Sequence, residues 1–220
     1  MKKAKAGQTN NGLSSHAYEQ LRAAILRGDF HAGEALFEVR LAEKLGMSRT
    51  PVREALQVLA RDGFLESAPS RGYSVPRWSI DDVRELFELR ETLEGAATRY
   101  ATTRASVAGI AELEQLCEQY EQAGEFEAWT LIGTEFHNRI FAMAGNRRIN
   151  TLLDSLKAQI MLTRRSVLEG VEGRREESVR EHRAILDAIR RRDADAAEQL
   201  AREHVRLSYQ ATLRGFPLGR

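Results

Sequence analysis

The chain has 220 residues, of which 42% are hydrophobic and 30% are charged, and its formal net charge is +1. This composition indicates a globular chain of one or two domains and argues against a disordered one. No apolar run reaches the roughly 18–20 residues of a membrane span, and the basic start MKKAKAGQTNNG lacks the apolar segment of a signal peptide. Cys117 is the only cysteine, which excludes an internal disulfide and predicts a reducing, cytoplasmic location.

The positive charge is concentrated in the first third of the chain. Residues 1–78 hold 12 lysines and arginines against 8 acids, a net of +4, whereas residues 79–220 hold 21 against 24, a net of −3. Such a division indicates that the first part meets phosphates. Within it, residues 1–12 are predicted to form a disordered basic arm.

Residues 40–63, RLAEKLGMSRTPVREALQVLARDG, predict a short helix, a tight turn and a second helix. Gly46 stands where the first helix must stop. Ser48 or Thr50 caps the second helix, which has Pro51 in its first turn. Apolar residues recur at helical spacing and predict one core shared by both helices: Leu41, Leu45, Val52, Leu56 and Leu59.

Arg49 and Arg53 project together from the start of the second helix because they lie four residues apart. In a helix-turn-helix, this part of the recognition helix reaches base edges in the major groove, where an arginine fork can bind guanine O6 and N7. The alternative is a solvated, merely charged face. The segments GFLE and PSRGYSV that follow favour DNA reading, because they predict two short strands around a basic, glycine-bearing turn, and so a winged helix.

From Ser79 onward the pattern is helical. The first helix carries apolar residues at Val83, Leu86, Phe87, Leu89 and Leu93, and five more helices are predicted at about 106–123, 125–144, 147–169, 174–192 and 194–214. The predicted fold is therefore mainly α, with a winged helix-turn-helix domain at residues 13–77 and a six-helix antiparallel bundle at residues 78–215.

Three histidines of the bundle, His137, His182 and His204, lie on the apolar sides of three different helices. A single histidine of this kind is usually a satisfied core residue. Convergence of three on one core favours a site for a divalent transition metal, since neutral imidazole is a common ligand.

Both halves of the chain resemble known modules. GMSRTPVREALQVLARDGFL and SRGYSV resemble the DNA-binding domain of the GntR family of bacterial transcriptional regulators. VRELFELRETLEGAATRYA, EFHNRIFAMAGNRRI and EHRAILDAIRRRDADAAEQLAREHV resemble the FCD domain, the effector-binding domain of the FadR-like branch; the length and six helices are similar to its shorter VanR-type subgroup. The resemblance implies a homodimeric repressor that binds a palindromic double-stranded operator and responds to a small effector.

On this resemblance, Arg49 and Arg53 read bases, Ser48 and Thr50 hold phosphates, and the wing enters the minor groove. Arg40, near the end of the first motif helix, adds a contact, although some relatives carry that arginine where this chain has Val39. The residues assigned to DNA are Arg40, Ser48, Arg49, Thr50, Arg53, Arg71 and Gly72.

The resemblance also implies that His137, His182 and His204 bind a metal ion, such as Zn, Ni or Mn, beside the effector pocket. The family usually has an aspartate four residues before the first histidine, where this chain has Gly133. Glu135 does not replace it, because two helix positions turn a side chain by about 200°. Weaker metal binding, more positions held by water or effector, and no metal at all therefore stay open.

Arg90 stands where the family has an arginine near its ligand, and Arg139 and Arg164 are further effector-binding candidates. An arginine beside a partly open metal suits a carboxylate, so a small organic or sugar acid is the expected effector. A helical (i, i+4) pair with Glu94 is the alternative for Arg90, and a bulkier or non-acidic ligand is the alternative for the effector.

Two other classes of function compete with a regulator. A helical metal-dependent lyase or hydrolase would use the three histidines, but the sequence shows no carboxylates paired for acid–base work, no phosphate-binding glycine loop and no nucleophile signature. A helical interaction module without a role on DNA is opposed by the arginine-led second helix and the wing.

Overall fold

The computed structural model describes residues 10–68, 72–168 and 173–215. Within these residues the chain forms two compact units. The first comprises the chain as far as Ser79 together with Ala158–Arg165, and the second comprises Ile80–Lys157 and the residues from Ser166 onward. The sequence predicted a boundary between residues 77 and 78 but not the later segment that belongs to the first unit. No helix in the described ranges is long and apolar enough to cross a membrane.

The first unit is a winged helix, as predicted. Its elements are α1 (Asn10–Arg27), β1 (Ala35–Leu36), α2 (Glu38–Leu45), α3 (Arg49–Arg61), β2 (Glu66–Ala68) and β3 (Gly72–Ser74). The strands form an antiparallel sheet in the order β1-β3-β2, in which Tyr73 lies between Leu36 and Ser67. Strand β1 was not predicted, because two residues are too few to show a period of two. Helix α1 begins at Asn10, so the last three residues of the predicted arm are helical, and residues 1–9 lie outside the described part.

The turn between α2 and α3 has the backbone geometry that its sequence demands. Gly46 ends α2 in the left-handed conformation, with φ 64° and ψ 31°, which a residue with a Cβ adopts only with strain. Ser48 has the extended backbone of an N-cap, but its side chain makes no capping hydrogen bond. Helix α2 begins at Glu38, so Arg40 lies in its first turn and the prediction that placed it near the end was wrong.

The predicted core of this unit is confirmed. Four of the five apolar residues of the motif are buried, and the fifth, Leu45, packs against them partly buried. The buried four are Leu41, Val52, Leu56 and Leu59. Their burial fixes α2 against α3 and leaves the opposite face of the start of α3 to solvent.

The six predicted helices are all present within the described residues, and the second unit contains them except for Ala158–Arg165. They are α4 (Ile80–Arg104), α5 (Val107–Gln122), α6 (Phe126–Ala144), α7 (Arg147–Leu168), α8 (Arg174–Arg190) and α9 (Ala194–Gly215). Helix α4 packs against α6, α8 and α9, and α5 packs against α6 and α8. The centre of the unit is therefore lined by α4, α6, α8 and α9.

Helix α4 buries two charged residues as well as apolar ones. Of the five apolar residues named in this helix, Val83, Leu86 and Phe87 are buried, Leu93 packs partly buried against the core, and Leu89 is 44% exposed. Leu89 lies two positions beyond Phe87, which turns it about 200° away from that side of the helix. Arg90 and Glu94 continue the buried face instead. A buried pair of charged residues at the centre of a helical unit marks the region that the site occupies.

Candidate functional site

The two arginines at the start of α3 are exposed and share one carboxylate. The side chains of Arg49 and Arg53 are 60% and 52% exposed. Arg53 donates from Nε and Nη2 to Glu38, the first residue of α2, at 2.9–3.1 Å, and Arg49 Nη2 donates to the same carboxylate at 3.4 Å. The sequence predicted the exposure but not Glu38, because the contact joins two helices.

The remaining described residues assigned to DNA are also exposed. Ser48 and Thr50 lie at the start of α3, and Arg40 lies in the first turn of α2 with its guanidinium 5.7 Å from the centre of the Phe37 ring. Gly72 opens β3 with φ 78°. Arg71 lies outside the described residues. The start of α3 and the first turn of α2 thus carry a solvent-facing set of donors.

The three histidines converge in the second unit. His137 from α6, His182 from α8 and His204 from α9 have ring centroids 4.8–4.9 Å apart. One ring nitrogen from each lies within 4.8 Å of the others, and the Nε2 atoms of His137 and His182 are 3.2 Å apart. All three residues are almost fully buried. The convergence that the sequence predicted is therefore present.

A glutamate carboxylate lies next to the Nδ1 atom of two of the three imidazoles. Glu181 Oε2 lies 2.6 Å from His204 Nδ1, and Glu94 Oε2 lies 3.6 Å from His137 Nδ1. Burial raises the pKa of Glu181, but hydrogen bonds from Arg174 and His204 outweigh it and lower the pKa to about 2. Glu181 is then ionised and accepts the Nδ1 proton of His204, which turns the lone pair of Nε2 away from Glu181. Burial lowers the pKa of His204 and keeps its imidazole neutral.

This donor set fits a transition metal ion. Nitrogen ligands about 2.0–2.1 Å from a tetrahedral Zn²⁺ lie roughly 3.3 Å from one another, close to the separation of the His137 and His182 Nε2 atoms. Metal-bound histidines commonly donate their second N–H to a carboxylate, as His204 does to Glu181. The Nε2 atom of His204 is buried and has no hydrogen-bond partner among the described residues. Buried polar atoms in proteins nearly always have a partner, so the lone pair of His204 Nε2 is free to bind a metal ion.

Gly133 is buried on α6, and the ring of Tyr120 occupies the space beside it. A Cβ atom built on Gly133 would come within 2.8 Å of Tyr120 Cε2. Tyr120 in turn packs against the His182 ring, with centroids 4.6 Å apart, and its hydroxyl lies 2.8 Å from Ser178 Oγ. An aspartate at position 133 would therefore displace a buried ring. The expectation that the metal site offers three imidazoles and no carboxylate stays a prediction; Glu94 and Glu181 lie 3.6 and 2.6 Å from the Nδ1 atoms of His137 and His204.

The three arginines proposed to bind effector have different surroundings. Arg90 is 1% exposed; its Nε donates to Glu94 at 2.8 Å, and its Nη1 has no hydrogen-bond partner among the described residues. Arg139 lies two positions beyond His137 and pairs with Glu112 of α5 at 2.6 Å, so it does not join the cluster. Arg164 lies in α7, and its side chain is outside the described residues. Of the two whose side chains are described, Arg90 is linked to the histidines, through Glu94, and Arg139 is not.

Sequence reasoning missed the residues that surround the histidines. Glu181 lies one residue before His182, and Arg174 reaches Glu181 at 2.5 and 2.8 Å and Ser208 at 3.2 Å. Arg174 is itself almost fully buried. The available signal was the position of Glu181 beside a candidate ligand, since outer carboxylates often orient metal-bound imidazoles.

Comparison with known proteins identifies both units. Residues 13–75 match the family model described as bacterial regulatory proteins, gntR family, and residues 85–207 match the FCD domain. The chain belongs to the GntR family of transcription regulators. It carries the family's DNA-binding module followed by an FCD domain, in the order that the sequence predicted.

Individual GntR relatives agree with this assignment. The chain is 30% identical over 191 residues to the uncharacterized HTH-type transcriptional regulator YdhC of Bacillus subtilis, covering 85% of each chain. It is 27% identical over 209 residues to the probable D-xylose utilization operon transcriptional repressor of Paenarthrobacter nicotinovorans, covering 93% of this chain and 90% of that one. The solved structure of Escherichia coli McbR/YncC shares the fold, with a TM-score of 0.78, 24% identity and coverage of 92% and 97%.

Membership in this family decides between the classes of function that the sequence left open. The gntR family model describes regulatory proteins, and the relatives named above are transcription regulators. The chain is therefore a regulator of this type, and the helical metal-dependent enzyme is not supported.

Proposed function

We propose that this GntR regulator is a cytoplasmic homodimeric repressor whose operator binding is controlled by a small carboxylate bound in the FCD domain beside a metal ion. One observation carries the effector part of the proposal: a buried three-imidazole cluster joined through Glu94 to the buried guanidinium of Arg90. Imidazole nitrogens and a guanidinium together form a site for an anion and a divalent cation.

Operator reading rests on the exposed start of α3. Arg49 and Arg53 supply forks for guanine in the major groove, while Ser48 and Thr50 supply hydroxyls for phosphates. Arg40 adds a cation from α2, and the wing residues Arg71 and Gly72 approach the minor groove. A homodimer presents two such helices to a palindrome, with half-sites about one helical turn apart.

The effector site rests on the histidines of the second unit. His137, His182 and His204 would hold the metal, with Zn, Ni or Mn as the candidates. When bound, such an ion supplies a Lewis acid to which a carboxylate oxygen can coordinate. Arg90 Nη1 supplies a buried donor for the same anion, since Glu94 is bonded to Nε. Effector changes operator affinity to the extent that it binds one conformation of the dimer better than another.

Duplex binding tests the DNA-reading part. Arg49→Ala should weaken binding to a selected operator by about 1–3 kcal/mol and relax its sequence preference. Arg61→Ala is a matched control, because Arg61 lies at the far end of the same helix and its side chain is exposed. Equal effects of both variants would remove Arg49 from the set of reading residues.

A thermal-shift experiment with elemental analysis tests the effector part. Zn²⁺, Ni²⁺ or Mn²⁺ should raise the melting temperature of the wild type by several degrees at about 100 times Kd, and hydroxy, sugar or aromatic acids should raise it further. His182→Ala should lose the metal response, whereas the control His31→Ala, in the first unit, should retain it. Absence of metal from the wild type, with no shift on adding it, would refute the three-histidine site.

A further inference from the structure

One carboxylate contacts both arginines at the start of α3. Glu38 is the first residue of α2 and lies 15 residues before Arg53 in the chain. Its side chain is 25% exposed, less than that of either arginine. The hydrogen bonds to Arg53, and to a smaller extent the one to Arg49, keep the pKa of Glu38 low despite its partial burial.

The geometry at Arg53 uses one particular edge of its guanidinium group. Nε donates to both carboxylate oxygens at 3.0 and 3.1 Å, and Nη2 donates to one of them at 2.9 Å. A guanidinium carries five N–H groups in a fixed plane. Two of them are bonded to Glu38, which leaves the two of Nη1 and the second of Nη2 for a partner. Of these three, one N–H of Nη1 and the free N–H of Nη2 form an outer pair with the spacing that guanine O6 and N7 accept.

We infer that Glu38 is a positioning residue that sets Arg53 for guanine reading and keeps both arginines from binding phosphates indiscriminately. The inference rests on the proposed role of Arg49 and Arg53 in operator reading. Holding one edge of the Arg53 group fixes its plane, so fewer side-chain rotations are lost when a base is bound. The carboxylate also removes one of the two positive charges at this position, and that weakens sequence-independent attraction to phosphates.

The ion pairs of Glu38 with Arg53 and Arg49 are too exposed to add much to folding stability. Exposed ion pairs contribute little to stability and are screened by salt. Arg49, held by a single long hydrogen bond of 3.4 Å, is the more easily released of the two. Glu38 therefore acts on specificity more than on folding.

The test compares binding to a selected and a scrambled duplex. Wild-type protein selects a site from a randomised duplex of about 20 base pairs, and fluorescence anisotropy measures its affinity for that site and for a scrambled version from about 50 to about 200 mM salt. Glu38→Gln keeps the size of the side chain and removes its charge. Glu43→Gln is the matched control, because it removes the same charge from an exposed position of the same helix.

Glu38→Gln should bind the scrambled duplex roughly three to five times more tightly and the selected site no more tightly, so that discrimination falls at least threefold. Glu43→Gln should leave discrimination unchanged. In an Arg53→Ala background, Glu38→Gln should no longer lower preference at the base that Arg53 reads, an effect that a merely structural role would not produce. The inference is overturned if Glu38→Gln behaves like Glu43→Gln. Failure of the wild type to select any site would instead overturn the proposed DNA reading itself.

Discussion

Replacing Glu94 by Leu should strongly destabilise the second unit. Arg90 and Glu94 are 1% and 5% exposed at the side chain, and Arg90 Nε donates to Glu94 at 2.8 Å. Removing one member of a buried ion pair leaves the other charge without compensation, which costs about 3–5 kcal/mol. The Arg90 guanidinium also lies 4.6 Å from the centre of the Phe87 ring, but that contact is too weak to replace a carboxylate.

The size of the effect should depend on which partner is removed. Arg90→Met should lower the free energy of unfolding by less than Glu94→Leu does, because the Glu94 carboxylate that remains still has His137 Nδ1 3.6 Å away. Glu94→Gln should fall between the wild type and Glu94→Leu, since an amide oxygen still accepts from Nε. The double variant Arg90→Met, Glu94→Leu should cost at least about 2 kcal/mol less than the sum of the single changes, because no buried charge is then stranded.

Urea unfolding followed by far-ultraviolet circular dichroism measures these differences at one protein concentration and without metal or effector. With a slope of about 2 kcal/mol/M, the midpoint of Glu94→Leu should fall by roughly 2 M. Strict additivity of the two single changes, or a cost below about 1 kcal/mol for Glu94→Leu, would refute the claim that the pair is a buried unit.

Two further predictions concern the interior of the second unit. Burial raises the pKa of Cys117 to about 12 from its ordinary 9, so a disulfide reagent at pH 8 should label the folded protein far more slowly than the urea-unfolded chain. Rapid labelling of the folded protein would contradict the burial of this thiol. Because the thiol pKa is higher in the folded state than in the unfolded state, its contribution to stability is present below pH 9 and is lost between pH 9 and 12. Gly133→Ala should lower stability by about 1–3 kcal/mol in urea unfolding, because its Cβ meets Tyr120 at 2.8 Å, and an unchanged midpoint would show that the ring can move freely.

Short-range patterns predicted the elements that depend on neighbours in the chain. Gly46 and the apolar spacing of Leu41 and Leu56 were sufficient for the helix-turn-helix, because both follow from helix geometry. The pair of Arg90 with Glu94 was also readable, as one of two alternatives, because it spans one helical turn. These features need no knowledge of how one helix packs on another.

Contacts between elements were beyond such reasoning. Tyr120 fills the space beside Gly133 from a different helix, and Glu38 meets Arg53 across the turn of the motif. The apolar side of a single helix can be read from its sequence, but the rotation and register of its partner decide which polar atoms meet. The convergence of the histidines was predictable only because each one lies on the side of its helix that faces the core.

The two arginine–glutamate pairs, Arg90 with Glu94 and Arg53 with Glu38, have the same chemistry but differ in burial, and burial decides whether losing the glutamate affects stability or DNA discrimination. At Arg90 and Glu94 the surroundings exclude water, so separating the charges is expensive and the pair holds a fixed arrangement next to His137. At Glu38 and Arg53 water screens the charges, so the pair adds little to folding stability, and the outer N–H groups of Arg53 stay available to a base while Glu38 holds the other edge. The sign of a substitution should follow the same division. Loss of Glu94 should appear in unfolding and leave discrimination between duplexes unchanged, whereas loss of Glu38 should change discrimination and leave unfolding nearly unaltered.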